Sequence, residues 1–270
     1  MTPDDRPIGV FDSGLGGLTV VRALLDLLPD EDVGYCGDTG RFPYGPKPGA
    51  EVLGYAIEIA DLLVARGVKL LVVACNSAAA VSLGPLRERY ADRGIEVLGV
   101  IEPGVRAAAR VTRHGRVGVI GTVGTIASGA YQRATAEFAP DLELTCCACP
   151  GFVEFVEQGD VDSDQVHVLA ERLLAPVRTA EVDTLVLGCT HYPLLARTIA
   201  NVMGPDVVLV SSADETAFAV RHLLLADGAA TPGRDRRVTF TSSGDPVVFR
   251  ALGARFLGPE VRAVEAWAWS

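Results

Sequence analysis

Cys75 and Cys189 stand in matching surroundings. Each closes an apolar run, Leu70-Leu71-Val72-Val73-Ala74 before the first and Thr184-Leu185-Val186-Leu187-Gly188 before the second. Hydrogen-bonding side chains follow, Asn76-Ser77 in one case and Thr190-His191 in the other. Short runs of this kind read as strands buried on both faces, and the polar residues after them can open helices. A helix N-terminus carries partial positive charge and free amides, which lower a thiol's pKa from about 8.5. Both thiols are therefore expected to exchange protons near neutral pH. Two of them across a cleft would offer an acid on one side of a carbon and a base on the other. Inverting a carbon centre needs that pair, because one base cannot easily reach both faces. A single cysteine at a strand end is most often only a small buried residue. The duplicated setting argues for more.

A second pair of segments repeats the relation. Ile8-Gly9-Val10-Phe11-Asp12-Ser13 resembles Val117-Gly118-Val119-Ile120-Gly121-Thr122, and the displacement from 8 to 117 is close to that from 75 to 189. One α/β unit duplicated, with one thiol per copy, accounts for both. In open parallel sheets, ligands sit outside the carboxyl ends of the strands. Four polar segments fall at such ends: Asp12-Ser13, Asp38 through Gly45, Cys75-Asn76-Ser77 and Cys189-Thr190-His191.

Asp12 precedes Gly14-Leu15-Gly16-Gly17, but the glycines match no phosphate-binding spacing, and an aspartate at the turn would repel phosphate. They are expected to let a ligand approach the backbone. Asp12 could orient a substrate ammonium or help set the charge on a thiol; an Asx-turn or helix cap is the plainer alternative. His191 suits a proton relay, with an unperturbed pKa near 6.5, although a packing histidine fits the same position. Cys146-Cys147-Ala148-Cys149 holds one CxxC spacing inside a strand-like run; without a second ligand pair it does not read as a metal or redox site.

Strand-like and helical patterns alternate along the chain. Strands are predicted near 7–12, 33–36, 69–74, 95–100, 116–121, 142–148, 183–188, 206–210 and 237–241. Helix-compatible spacing covers 17–28, 50–66, 78–91, 103–113, 125–138, 163–180, 192–203 and 213–226. This alternation is the mark of a doubly wound α/β fold with mainly parallel sheets. Ser212 with Glu215 fits a capping box, and Asp245 before Pro246 fits a helix start. The expected division is a discontinuous first α/β domain of residues 1–99 and 207–270, and a second of residues 100–206.

The chain has 270 residues, 49% of them hydrophobic, enough for about two domains of ordinary size. Its formal charge of −10 speaks against a nucleic-acid partner, and with only Lys47 and Lys69 as lysines there is no polybasic membrane patch. The start, Met1-Thr2-Pro3-Asp4-Asp5-Arg6, lacks the basic and apolar stretches of a signal peptide, and no run approaches membrane-spanning length. Six cysteines in strand-like contexts do not form a disulfide framework. The expected setting is cytoplasmic and reduced.

The ordered motifs Asp12-Ser13-Gly14-Leu15-Gly16-Gly17-Leu18-Thr19, Gly37-Asp38-Thr39 with Pro43-Tyr44-Gly45, Ala74-Cys75-Asn76-Ser77 and Gly188-Cys189-Thr190-His191-Tyr192-Pro193 resemble the cofactor-independent aspartate/glutamate racemases, on the glutamate side. The likeness runs from about Ile8 to Glu215, and the last 50 or so residues add little to it. Ser77 stands where threonine is commoner, and Phe42 where valine is frequent. Arg41 reads as a surface residue.

The resemblance implies two similar domains related by a pseudo-twofold, with the active site in their cleft. It implies Cys75 as the group that takes the α-proton of D-glutamate and Cys189 as the one that takes that of L-glutamate, with Asp12 and His191 assisting. Substrate contacts would fall to Asp12, Ser13, Tyr44, Gly45, Asn76, Ser77, Thr190 and His191, with Asp38, Glu154 and Thr122 in support. The implied partner is glutamate, a small molecule, with no cofactor and no metal; D-glutamate would feed peptidoglycan synthesis. A homodimer is compatible with the sequence.

The residues agree with that chemistry, since pyridoxal phosphate would need a Schiff-base lysine. Lys47 sits in a proline-rich turn and Lys69 precedes a strand, so neither fits. Rival readings are an aspartate- or hydantoin-type racemase on the same scaffold, a cysteine-nucleophile amidohydrolase, which leaves one cysteine unexplained, and a non-catalytic binding protein.

Overall fold

The structure is a computed structural model that describes residues 4–230, 233 and 235–269. Met1-Thr2-Pro3, the opening of the acidic start, lie outside the described residues. Ten strands and eleven α-helices follow one another along the described chain. The first unit runs β1 (Ile8–Asp12), α1 (Leu18–Leu27), β2 (Val33–Gly37), α2 (Gly49–Ala65), β3 (Leu70–Val73), α3 (Asn76–Tyr90) and β4 (Glu96–Gly99). After α4 (Ile101–Val111) come β5 (Arg116–Gly121), α5 (Val123–Ala127), α6 (Ala130–Phe138), β6 (Glu143–Ala148), α7 (Phe152–Gln158), α8 (Asp164–Thr179), β7 (Thr184–Gly188), α9 (Ala196–Met203) and β8 (Val208–Ser211). The chain closes with α10 (Ser212–Ala226), β9 (Val238–Ser242), α11 (Pro246–Leu257) and β10 (Val264–Ala266).

All pairings are parallel. One sheet has the order β10-β9-β2-β1-β3-β4 and the other β6-β5-β7-β8. The four shared positions match one for one: β2-β1-β3-β4 against β6-β5-β7-β8. The repeat seen in the sequence is thus a repeat of topology, with β3 and β7, the strands that lead into Cys75 and Cys189, in equivalent places. β1, β2, β3 and β7 are buried along their whole length, as expected of parallel strands with helices on both faces.

The pleat explains how one strand serves two cores. Val117 and Val119 of β5 and Val186 of β7 join the large apolar cluster shared with the first sheet. Ile120, Leu185 and Leu187 point the other way, into a separate cluster with Phe152, Leu174 and Tyr192. Successive strand residues face opposite sides, so the first set ties the two units together while the second fills the far side.

Several expectations change on contact with the structure. β8 pairs in register with β7, Thr184 opposite Val208, so a division at 207 assigns it to the wrong sheet. The return to the first unit comes after Ser211, with α10 packed on α1 and α4. The helix expected over 125–138 is two, separated where Gly129 takes φ +68°, the left-handed region in which a helix stops. The capping box at Ser212 is absent. Ser211 is the cap, accepting from Ala213 N at 3.3 Å, and Glu215 pairs with Arg110 instead. Asp245 does cap α11, accepting from Val247 N at 2.7 Å. α7 and β10, too short to show a period, were not expected. No helix among the described residues is long and apolar enough to cross a membrane.

Candidate active site

Every strand end singled out in the sequence opens toward the gap between the sheets. A cavity of about 100 Å³ there is lined by Ser13, Tyr44, Gly45, Cys75, Asn76, Ser77, Thr122, Glu154, Cys189, Thr190 and His191. Phe42, Cys149, Val153 and Tyr192 also line it. Asp12 and Asp38 do not line it. Both are wholly buried behind it.

The sequence places Cys75 at the end of β3 because the next residues start α3; Ala79 N donates to Cys75 O at 2.8 Å, which makes Cys75 the helix cap. The expected lowering of its pKa does not occur. Burial pushes the thiol up to about 12, and the negative charge of Asp12 adds to the rise, against amide and hydroxyl contacts from Ser13 and Ala78. Removing the thiolate from water costs more than a helix end returns. Cys75 rests as a thiol, 3.5 Å from Ser13 Oγ.

Cys189 follows β7, but a short 3₁₀ turn over Tyr192–Leu195, with Pro193 in it, separates it from α9. Its Sγ lies 4.0 Å from His191 Nδ1. The other ring nitrogen of His191 meets Glu157 Oε1 at 2.7 Å. Burial alone would push the imidazole down; the contacts with Cys189 and Glu157 outweigh it and lift His191 up to about 10. At neutral pH an imidazolium thus stands beside the second thiol.

Asp12 joins the two units. Its Oδ1 accepts from Gly14 N at 2.8 Å and its Oδ2 from Thr190 Oγ1 at 3.2 Å. Burial raises its pKa, opposed by the charge of His191 and by the Gly14, Gly17 and Thr190 donors. The glycine-rich turn serves the same junction: a side chain at Gly16 would collide with Thr190 and His191. Gly16 thus admits the opposing unit, while a Cβ at Gly14 would meet Phe42 and one at Gly17 would meet Asp12, Ala74 and Tyr35 of the same unit. Across the cavity, Ser77 Oγ lies 2.9 Å from Thr122 Oγ1 and 3.2 Å from Thr125 Oγ1. Asn76 Oδ1 accepts from Tyr131 OH at 2.8 Å, while its buried Nδ2 has no partner among the described residues. Asn76 itself lines the cavity.

A sequence profile described as Asp/Glu/Hydantoin racemase matches residues 18–220 of the chain. The chain belongs to that family. It is 55% identical to the glutamate racemase of Beutenbergia cavernae, over 95% of this chain and 91% of that one. Its fold is similar to that of a glutamate racemase isoform from Bacillus anthracis, with a TM-score of 0.92 and 40% identity over 98% and 97% of the two chains. A Francisella tularensis glutamate racemase crystallised with D-glutamate is likewise close, with a TM-score of 0.91 and 34% identity over 98% of each chain.

Within this family member, two residues read differently in three dimensions. Glu154 was expected to support the site, and it lines the cavity, but the glutamate that holds His191 is Glu157. Both lie on α7, three residues apart and so on one helix face; only packing decides which reaches the histidine. Arg41 is no surface residue. Its side chain is 9% exposed and binds Asp38 at 2.7 Å and Glu58 at 2.6 Å. Asp38 in turn accepts from Tyr44 OH and Ser243 Oγ. Lys69, bound to Glu31 at 2.6 Å, and Lys47, 3.4 Å from Glu51, line no part of the cavity. No cluster of three or more His, Cys, Asp or Glu among the described residues could hold a metal ion.

Proposed function

We propose that this racemase interconverts L- and D-glutamate without a cofactor, by proton transfer at Cα between Cys75 and Cys189. The observation that supports this most is the pair of thiols just past equivalent strands of a repeated unit, both lining one small cavity. With L-glutamate, Cys189 as thiolate takes the α-proton and the Cys75 thiol returns one to the opposite face. With D-glutamate the roles exchange. At rest Cys75 carries its proton, and the His191 imidazolium stands 4.0 Å from Cys189 Sγ. Asn76 Nδ2 and the hydroxyls of Ser13, Ser77, Thr122 and Thr190 are donors for the substrate carboxylates. Donors of this kind, kept from water, also offset charge that develops on the carboxylate as Cα loses its proton. D-Glutamate made in the cytoplasm would supply peptidoglycan synthesis. Glu154, Asp38 and Asp12 support the site.

Purified protein incubated with L-glutamate alone should lose optical activity until the enantiomers are equal. A requirement for pyridoxal phosphate or for a metal would sink the mechanism. Thr190→Ala, which removes a cavity donor and a bond to Asp12, should lower kcat/KM by about 1–3 kcal/mol. Unchanged kinetics would take Thr190 out of the site.

The His191–Glu157 contact gives a pH prediction. A histidine raised from about 6.5 unfolded to about 10 folded contributes stability that is fully present below the lower value and is lost as pH climbs through the upper one. The same deprotonation removes the charge beside Cys189. Glu157→Gln should move the alkaline limb of kcat/KM to lower pH. If the limb stays where it is in wild type, the carboxylate does not set the histidine's charge.

A further inference from the structure

Resting on glutamate as the substrate, we propose that Trp269, near the C-terminus, is a positioning residue for the glutamate-binding loop, acting through Arg41. The loop is the one that brings Tyr44 and Gly45 to the cavity, and its far side crosses to the second unit, where Gly124 N donates to Gly45 O at 2.9 Å. Its near side is held by Arg41. That guanidinium lies 4.1 Å from the centre of the Tyr55 ring and 4.6 Å from that of Trp269. Its nitrogens reach Asp38 and Glu58, and Asp38 accepts from the Tyr44 hydroxyl. A line of contacts therefore leads from Trp269 through Arg41 and Asp38 to a side chain in the cavity wall.

The tail is seated for this task. Trp267 N donates to Ser242 O at 2.8 Å, continuing the pairing of β10 with β9. The two indoles meet edge to face, 6.2 Å apart. Trp269 also packs on the backbone of the loop itself: a Cβ at Gly40 would lie 2.5 Å from its ring. Indole has the strongest aromatic attraction for a cation, and the attraction grows when water is kept away. Without the ring, Arg41 gains water on one face and holds Asp38 less firmly, and the Tyr44–Gly45 segment loses its fixed place. Trp269 itself lines no part of the cavity. Substrate binding should suffer more than proton transfer.

The test uses the full chain. Trp269→Ala should raise KM for glutamate roughly tenfold, the scale of one partly shielded cation–π contact, with kcat changed less than about twofold. Trp269→Phe, which keeps an aromatic face, should restore most of the affinity. Arg41→Lys keeps the charge but not the planar face; it should raise KM in the same way, and adding Trp269→Ala to it should raise KM little further. The only two tryptophans are Trp267 and Trp269, so Trp267→Phe leaves a single reporter. Its emission should change saturably as glutamate is added. An unmoved KM in folded Trp269→Ala, an equal loss in the Phe and Ala variants, or flat emission from the single tryptophan overturns the proposal. If the alanine variant does not fold, the phenylalanine variant and the titration still decide. A wild type that fails to racemise glutamate refutes the activity instead; one that racemises it while KM stays fixed in Trp269→Ala refutes only the positioning.

Discussion

Cys75→Ala and Cys189→Ala should each abolish net racemisation in both directions, with a loss on the order of 10⁴-fold from removing one acid–base group. Each turnover uses one thiol as base and the other as acid, so neither direction can spare either. Both residues are small and buried, and trading sulfur for a methyl hydrogen leaves strand and helix intact. The remaining thiol makes the test sharper. Cys75→Ala retains the base for L-glutamate, so it should still exchange the α-proton of that enantiomer with D₂O while failing to invert it. Cys189→Ala should do the same for D-glutamate only. Wild type should carry solvent deuterium at Cα of the newly formed enantiomer from the first turnovers. A hydrolase with a cysteine nucleophile would need one of the two and tolerate loss of the other. If either folded alanine variant interconverts the enantiomers at a near-normal rate, the two-base reading is wrong.

Asn76→Asp is expected to have the next largest effect. Asn76 lines the cavity, and its Oδ1 takes the Tyr131 hydroxyl, which leaves the buried Nδ2 without a partner among the described residues. Aspartate has nearly the same shape and keeps the Tyr131 bond, so the fold should survive. It replaces the donor with a carboxylate oxygen. A substrate carboxylate then loses a charge-assisted hydrogen bond and meets a like charge, together about 3–5 kcal/mol in a site closed to water. We expect kcat/KM to fall by about 10²- to 10⁴-fold, mostly through KM. Because protonation would restore a donor, part of the loss should return as pH is lowered toward the carboxyl range. Equal KM for wild type and Asn76→Asp at neutral pH would show that Nδ2 does not meet the substrate.

The surroundings of the two thiols add a constraint that the motifs do not carry. A helix N-terminus in front of Cys75 suggests an activated thiol, yet burial and Asp12 push it up to about 12. The second thiol is served differently, by an imidazolium held at about 10 through Glu157. Two cysteines in repeated surroundings therefore have unlike neighbours, a buried carboxylate at Cys75 and an imidazolium at Cys189. The asymmetry comes from what each half packs against, since the strands that lead into them occupy the same place in their sheets.

Much of this was legible in the residues. The apolar runs before Cys75 and Cys189, and the echo of Ile8–Ser13 in 117–122, already state two parallel units, each with a thiol just past the same strand, because the pattern that marks a buried strand is local and survives in one dimension. Asp245 before Pro246 announced α11 for the same reason. Asp12, Ser13, Asn76, Ser77, Thr190 and His191 could be picked out because they follow strand ends, where parallel sheets leave room for ligands. Contacts between distant segments were not legible. That Glu157 and not Glu154 meets His191, that Gly16 makes way for Thr190, that β8 joins β7, and that Trp269 covers Arg41 all depend on which surfaces come together after the helices pack. So does the protonation of Cys75, which follows from how much water the finished core excludes and which carboxylate it traps nearby. Spacing along a chain encodes periodic local structure; desolvation and pairing across a cleft exist only once the two sheets face each other.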